Sequence, residues 1–348
     1  FSFAGGGVVS AVFFLVFAIM WVVNGWSQSM GAAPAIIAFS RWFPLKQRGT
    51  YYGFFSASHN ISEGITFVFV SLVVGLAGWQ WGFIGSSIAG IIGVSVILFM
   101  LHDNPQSKGL PRVEVLTGED AEEAPKPDGG KSVGSSQKLV FKNPYIWIRA
   151  LASACMYISR YAVNSWGVIF LQEIKGFELT QASFIIAVNA VLGVVGTVFS
   201  GLISDKLFKG NRYSIAVTFG VVCSIALVLL LYSGSGYFVN LLSMALFGVA
   251  IGVLICFLGG LMAVDLVPRE ASGAALAVIG IFSYIGAGVQ DIISGGLLDK
   301  NKVIIEGQTV HDYSVAGIFW IAASVISFIL VAIVWRKASR NKKESARV

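Results

Sequence analysis

Long apolar runs are the feature that most limits what this chain can fold into. They recur from end to end, and each is about 20 residues or longer, which is enough for a helix to cross the hydrocarbon of a bilayer. Backbone groups in lipid must find hydrogen-bond partners within the segment, so we expect an all-α polytopic membrane protein. The alternating pattern of a membrane barrel, over segments of about ten residues, does not occur in the sequence.

Composition supports this assignment. Of the 348 residues, 56% are hydrophobic and 12% are charged, whereas a soluble domain carries about 25% charge. The 40 glycines suit helices that pack closely in a membrane. The cysteines Cys155, Cys223 and Cys256 lie inside apolar runs without paired spacing, so we interpret them as packing residues and expect no metal and no cofactor.

The sequence predicts about nine complete spans, with residues 1–7 as the end of an earlier one. Between the third and fourth spans, residues 102–143 are rich in Pro, Gly, Ser and charge, which is typical of a flexible linker. The predicted spans cover residues 8–40, 49–77, 80–101, 145–171, 181–204, 213–232, 237–265, 272–297 and 314–335.

Basic residues alternate between the two sides of this arrangement. One side, which includes the linker and the C-terminal tail, holds 19 of the Lys and Arg residues, and the other side holds three. By the positive-inside rule the linker and the C-terminus are cytoplasmic, in the inner (plasma) membrane of a cell. The net charge of +6 is then a signal of topology, and no nucleic-acid partner is needed to explain it.

Two segments separated by 224 residues resemble each other. Pro44 matches Pro268 and Gly49 matches Gly273. Each of the two segments begins a span from the cytoplasmic side. Two halves repeated in parallel orientation are typical of one large transporter fold. The same offset leads us to expect about 80 further residues, with two spans and most of a third, ahead of Phe1.

Polar residues form stripes along three of the spans. Such stripes indicate either a shared aqueous cavity or buried hydrogen bonds between packed helices, and both readings stay open. The stripes are Ser153, Tyr157, Arg160 and Asn164; Ser56, His59, Asn60, Glu63 and Thr66; and Ser283, Tyr284, Gln290, Asp291 and Ser294.

Arg160 is the most informative of these residues. It lies near the middle of its span, where the guanidinium cannot reach either surface, and its planar fork suits phosphate or carboxylate. His59 can change charge near neutral pH, and Glu63 lies one turn further along the same face. Glu63 either keeps His59 protonated or pairs with Arg160 when the cavity is empty. Arg149, close to Pro144, is expected to be an interfacial anchor.

A short cytoplasmic connection, "GLISDKLFKGNR" at 201–212, contains Asp205, Lys206 and Arg212. It is either a basic loop that follows the positive-inside rule or a charge relay whose contacts change between inward-open and outward-open states.

These residues together resemble the organophosphate:phosphate antiporter family of the major facilitator superfamily, including its hexose-phosphate sensor branch. "GLISDKLFKGNR" is similar to the loop motif of the superfamily, and "RGTYYGFFSASHN" at 48–60 resembles the fifth helix of the antiporters. "NPYIWIRALASACMYISRYAVNSWG" at 143–167 resembles their seventh helix, and "VPREASGAALAVIGIFSYIGAG" at 267–288 their eleventh.

The resemblance implies a major facilitator fold of two six-helix bundles. It implies that residues 1–101 are the end of the N-terminal bundle, with helices four to six and a remnant of the third. Residues 102–143 are then the cytoplasmic linker, 144–336 the C-terminal six-helix bundle and 337–348 a cytoplasmic tail. By the same resemblance Arg160 grips a phosphate, while His59 and Tyr284 line the site.

The chain departs from the family pattern at several positions. Ser165 and Ala190 stand where the family usually has an acidic residue, Glu63 stands where it has a small one, and Phe55 where Trp is common. The inference of an anion site does not depend on these positions. The identity of the organic group and the coupling do depend on them.

Three hypotheses follow. The first is a transporter that exchanges an organic phosphate ester for inorganic phosphate by alternating access, with Arg160, His59, Tyr284, Asn164 and Tyr157 binding the substrate. The second is a membrane receptor for a sugar phosphate with a sensor kinase as partner. The third is a proton-coupled carrier of a carboxylate anion, suggested by Glu63 and Asp291. No nucleophile–base motif or phosphate-cradling loop suggests an enzyme.

Overall fold

The structure is a computed structural model, and part of the chain is described in it. It describes residues 8–29, 42–43, 45–102, 105–111, 113, 140–208, 211–262, 271–305 and 308–345. Most of the predicted linker therefore lies outside the described residues.

Helices account for almost all of the described residues. They are α1 (Val8–Ser29), α2 (Leu45–Ala77), α3 (Trp79–Met100), α4 (Pro144–Glu173), α5 (Leu179–Leu207), α6 (Arg212–Tyr232), α7 (Tyr237–Cys256), α8 (Ser272–Lys300) and α9 (Ser314–Ser345). A 3₁₀ turn covers Pro105–Lys108, and a π-helical turn, Phe257–Leu261, continues α7. The predicted all-α class is confirmed for the membrane helices. A short antiparallel hairpin, β1 (Lys302–Ile305) and β2 (Gln308–His311), was not predicted.

Local signals explain where several helices begin and end. The side chain of Asn143 accepts a hydrogen bond from the Tyr145 N–H and Pro144 takes the first helical position, so α4 starts with a capped end. Asn211 caps α6 in the same way. Gly78 has a φ of +92°, a conformation that glycine adopts without strain, and it allows the tight turn from α2 to α3.

Six described segments are long and apolar enough to cross a membrane: Trp79–Met100, Leu179–Ser200, Arg212–Tyr232, Tyr237–Gly259, Gly273–Lys300 and Ser314–Arg336. Helix α4 is not among them, because Arg149, Arg160 and several hydroxyl and amide side chains lower its hydropathy. It contacts α5, α8 and α9, and half of its residues are buried by them. A helix enclosed by protein need not be apolar on every side.

The chain divides into two compact units. One comprises Phe1–Phe55 and Ile91–Asp128, and within it the Trp42 indole N–H donates to the His102 carbonyl at 2.6 Å. The other comprises Ser56–Gly90 and Gly129–Val348 and contains the bundle α4–α9. In this bundle α5 packs on α7, α7 on α6, α6 on α9, α9 on α4, and α4 on both α8 and α5.

Backbone contact between α5 and α7 is unusually close. A Cβ atom at Gly248 would overlap the backbone at Asn189, and one at Gly252 would overlap the backbone at Gly193. Small residues allow this approach, as is common where membrane helices cross. The contact fixes the depth at which Asn189 lies in the bundle.

Candidate functional site

Arg160 lies deep within the bundle. It is 16 residues after Pro144 in a helix of 30 residues, so about 24 Å of helix separates it from the start of α4. The residue is 6% exposed, and its guanidinium Nη2 donates to Glu63 Oε2 at 3.1 Å. The predicted depth of Arg160 agrees with this position, and of the two alternatives for Glu63 the pairing with Arg160 is present.

Glu63 accepts from a second donor. Its Oε1 receives a hydrogen bond from Asn164 Nδ2 at 2.5 Å, and Asn164 Oδ1 accepts one from Asn189 Nδ2 at 3.4 Å. Arg160 and Asn164 are four residues apart on α4, so their donors point from one face of the helix. Together they hold the two oxygens of one carboxylate, which is the geometry of a bound anion.

The approach of α2 to α5 brings Glu63 to this face. A Cβ at the next residue, Gly64, would lie 3.1 Å from Val191 Cγ2 and 3.4 Å from the Ala187 carbonyl oxygen. The absence of a side chain at Gly64, and the small side chain of Ala190 opposite, allow the two helices to come this close.

Two tyrosines lie beside the guanidinium, and a third contacts one of them. The Arg160 Cζ lies 5.8 Å from the ring centroid of Tyr157 and 5.7 Å from that of Tyr161, within the range of a cation–π interaction. The Tyr157 ring meets the Tyr284 ring edge-on at 5.8 Å. Tyr284 on α8 is 65% exposed.

A small cleft opens beside the Glu63–Arg160 pair. Its lining residues come from α2, α4, α5 and α7, and apart from the ion pair and one amide they are small or apolar. They are Glu63, Arg160, Asn189, Ala190, Gly193, Ile251, Gly252 and Ile255.

The third predicted stripe is in fact two. Ser283, Gln290 and Ser294 are buried among the helices, and Gln290 donates to Ser294 at 3.1 Å. Tyr284 and Asp291 instead lie on the exposed face of α8, where Asp291 is within hydrogen-bonding reach of the Ser165 hydroxyl. The prediction that all five share one face was wrong, because neighbours in a helix point about 100° apart.

Other polar residues form hydrogen bonds within one helix or between helices. The hydroxyls of Ser153 and Ser283 share a hydrogen bond at 2.7 Å between α4 and α8, and Thr66 donates to the Ser62 carbonyl of its own helix. Arg149 is 2% exposed and donates to the Tyr213 hydroxyl at 2.6 Å. We expected Arg149 to be an interfacial anchor; the structure shows it as a buried link between α4 and α6.

Four other predicted site residues are His59, Asp205, Lys206 and Arg212. The side chains of His59, Asp205 and Lys206 lie outside the described residues, and Arg212 is the first residue of α6. Asn189 and Tyr161 belong to the site but were not predicted. An asparagine within the apolar run "IIAVNAVLGVVG" is a signal that could have identified the first of them.

A second polar cluster lies at the end of α4, away from Arg160. Glu173 accepts hydrogen bonds from the His311 backbone N–H at 3.2 Å and from its Nδ1 at 2.9 Å, with the tautomer assigned by this contact. The Tyr313 hydroxyl donates to the same carboxylate at 3.5 Å. Burial and the neighbouring Glu173 raise the pKa of Tyr313 above its usual value, so it remains a donor at any physiological pH.

Comparisons with known proteins agree with this architecture. The family model for the Major Facilitator Superfamily matches residues 1–290, most of the chain. The chain belongs to the Major Facilitator Superfamily. It is thus a multi-pass membrane protein of a transporter family, and the membership that we predicted from its motifs is confirmed.

Individual relatives include two proteins with different roles. The glycerol-3-phosphate transporter of Bacillus subtilis (strain 168) is 29% identical over 330 residues, which cover 92% of this chain and 71% of the relative. The membrane sensor protein UhpC of Salmonella typhimurium is 28% identical over 365 residues, with 97% and 76% covered. Among solved structures, the nucleoside transporter NupG (D323A mutant) aligns with a TM-score of 0.55 and 18% identity, covering 77% of this chain and 65% of that one. That last likeness concerns the fold alone.

Proposed function

We propose that this protein is a transporter of organic phosphate esters, which it exchanges for inorganic phosphate. The observation that carries the proposal is the position of the Glu63 carboxylate, held by Arg160 and Asn164 at the edge of a cleft. Donors that hold two carboxylate oxygens can also hold two oxygens of a phosphoryl group. The relative from Bacillus subtilis, named for glycerol-3-phosphate transport, supports this class of substrate.

Each site residue has a proposed role. Arg160 and Asn164 bind the phosphoryl oxygens, Tyr157 and Tyr284 donate from their hydroxyls, and His59 responds to the charge of the substrate. Residues proposed to act in coupling or gating are Glu63, Asp291, Asp205, Lys206 and Arg212. In this proposal residues 144–336 form one bundle and the helices before residue 102 belong to the other.

Counterflow measures the proposed exchange directly. Purified protein is reconstituted in liposomes loaded with unlabelled inorganic phosphate, and entry of labelled phosphate is followed in competition with a panel of phosphate esters. We expect labelled phosphate to accumulate and at least one sugar phosphate or glycerol phosphate to compete with it. Entry that depends on acid outside and is indifferent to internal phosphate would indicate a proton-coupled carrier instead.

Replacing Arg160 tests whether its guanidinium binds the substrate. Arg160→Ala and Arg160→Lys should both lose counterflow by about 100-fold or more, because a lysine keeps the charge but not the bidentate fork. Arg336→Ala, which changes an exposed arginine at the end of the α9 span, is the matched control and should keep full activity. Robust counterflow by the Arg160→Ala protein would contradict the assignment.

A second candidate function is that of a receptor, favoured by the similarity to a membrane sensor protein. A receptor binds the phosphate ester but moves little of it, and it passes the signal to a partner such as a sensor kinase. Ligand binding in detergent together with the absence of flux in the same preparation would favour this candidate over the transporter.

A further inference from the structure

The Glu63–Arg160 pair supplies the anion site with its own counter-ion. The two charged groups lie 3.1 Å apart, and their side chains are 22% and 8% exposed. Glu63 also takes the hydrogen bond of Asn164, so in the empty site both donors of α4 are satisfied by a residue of the chain.

A counter-ion within the site affects the step in which a carrier returns empty. During alternating access the site passes through a state closed to water on both sides. A buried guanidinium without a partner is strongly unfavourable in such a state, since nothing compensates its lost hydration. A carrier whose arginine has no internal partner therefore closes readily only with an anion bound, and this restricts it to exchange.

The groups around the pair leave Glu63 as the partner of Arg160. From α4 the guanidinium faces the rings of Tyr157 and Tyr161, and Tyr284 of α8 contacts the Tyr157 ring. The residues of α5 and α7 that line the cleft are all uncharged, and Asn189 is the polar one among them. On α2, His59 lies one turn before Glu63, and its side chain is outside the described residues.

The pair can also open. Glu63 is partly exposed and lines the cleft together with Arg160, so protein does not enclose its side chain on every side. A phosphoryl group that enters the cleft can then take the same two donors. Because the carboxylate and the substrate use the same hydrogen bonds, one replaces the other.

We propose that Glu63 acts as a built-in counter-ion that allows the empty transporter to close and reopen, so that the protein carries out net transport of phosphate as well as exchange. This inference depends on the proposed function, because it concerns the same site.

The test compares net transport with exchange in one preparation. Liposomes containing the protein are loaded with labelled inorganic phosphate, the membrane potential is clamped, and efflux is measured into medium without and with phosphate. We expect the unaltered protein to release label into both media. In Glu63→Gln the ratio of net efflux to exchange should fall by at least about tenfold, because the empty site keeps an uncompensated charge.

Two further variants sharpen the result. Glu63→Asp keeps the charge and should retain a ratio above that of Glu63→Gln. Asp299→Asn, at an exposed carboxylate paired with Lys302, is the matched control and should leave the ratio unchanged.

Efflux by the unaltered protein that requires external phosphate would overturn the inference while leaving the proposed exchange intact. An unchanged ratio in Glu63→Gln would also overturn it. Absence of label movement into either medium would instead reject the proposed function itself, and the inference with it.

Discussion

At the scale of single residues, the site depends on a short series of side chains that orient one another. Asn189 donates to Asn164, Asn164 and Arg160 donate to Glu63, and each donor is fixed by the helix that carries it. Sequence alone identified Arg160, Asn164 and Glu63, because charged and amide groups are rare in membrane spans. Asn189 carries the same signal, an amide in an apolar run, but no spacing in the sequence links it to Asn164 as a partner.

Loss of the Asn189 amide should weaken substrate binding without abolishing it. In Asn189→Ala the Asn164 side chain loses the hydrogen bond that orients it, so we expect the apparent KM for phosphate to rise about two- to tenfold. Counterflow at a series of phosphate concentrations measures this change. Gln181→Ala, at an exposed position of the same helix, is the control, and an equal KM in both variants would show that Asn189 does not position Asn164.

At the scale of elements, α9 begins with a capped turn at Asp312. Its carboxylate accepts from the Ser314 backbone N–H at 2.8 Å and from the Ser314 hydroxyl at 2.5 Å. These hydrogen bonds hold the pKa of Asp312 below its usual value, because they favour the charged form. A carboxylate at this end also interacts favourably with the helix dipole.

The cap should stabilise the protein above about pH 4 and lose its effect in acid. A pKa that is lower in the folded state means that stability is present above the unfolded value, about 3.9, and decreases as the pH falls through the folded value. We therefore expect Asp312→Ala to lower the thermal unfolding midpoint in detergent at pH 7 and the difference to shrink below pH 4. Asp312→Asn keeps a hydrogen-bond acceptor, so its unfolding midpoint at pH 7 should lie between those of the unaltered protein and Asp312→Ala. A difference that is constant from pH 7 to pH 3.5 would contradict the assignment.

The bounds of the helices were largely predictable from the sequence, but which of their faces are buried was not. Apolar length located most spans to within a few residues, since a helix in lipid must be long and apolar. The strands Lys302–Ile305 and Gln308–His311 were not predicted, because four residues each give too short an alternating pattern to detect. The sequence also did not show that the polar stripe of α8 divides into a buried set and an exposed set. Which of two adjacent faces is buried depends on the neighbouring helix.

At the scale of the whole molecule, the basic residues suggest how the chain lies in the membrane. The 19 Lys and Arg residues assigned to one side include six in the linker and six in the C-terminal tail. Such an excess is typical of the cytoplasmic side, and it leads us to propose the inner membrane as the location, with the linker and the C-terminus inside.

Labelling of introduced cysteines tests this topology. In a background in which the three native cysteines are replaced by serine, Ser235→Cys lies in the short connection from α6 to α7, and Ser135→Cys lies in the linker. We expect a membrane-impermeant maleimide to label Ser235→Cys in intact cells, and Ser135→Cys only after the cells are permeabilised. The opposite pattern would invert the proposed orientation.

The backbone contact of α5 with α7 has a mechanical consequence. With the chain at Gly248 and Gly252 touching the chain at Asn189 and Gly193, a slide of either helix by one residue would drive a side chain into its neighbour's main chain. The two helices are therefore expected to move together as one rigid unit. Any widening of the cleft at Ile251 and Asn189 must come from the helices opposite them, on the side that carries the carboxylate.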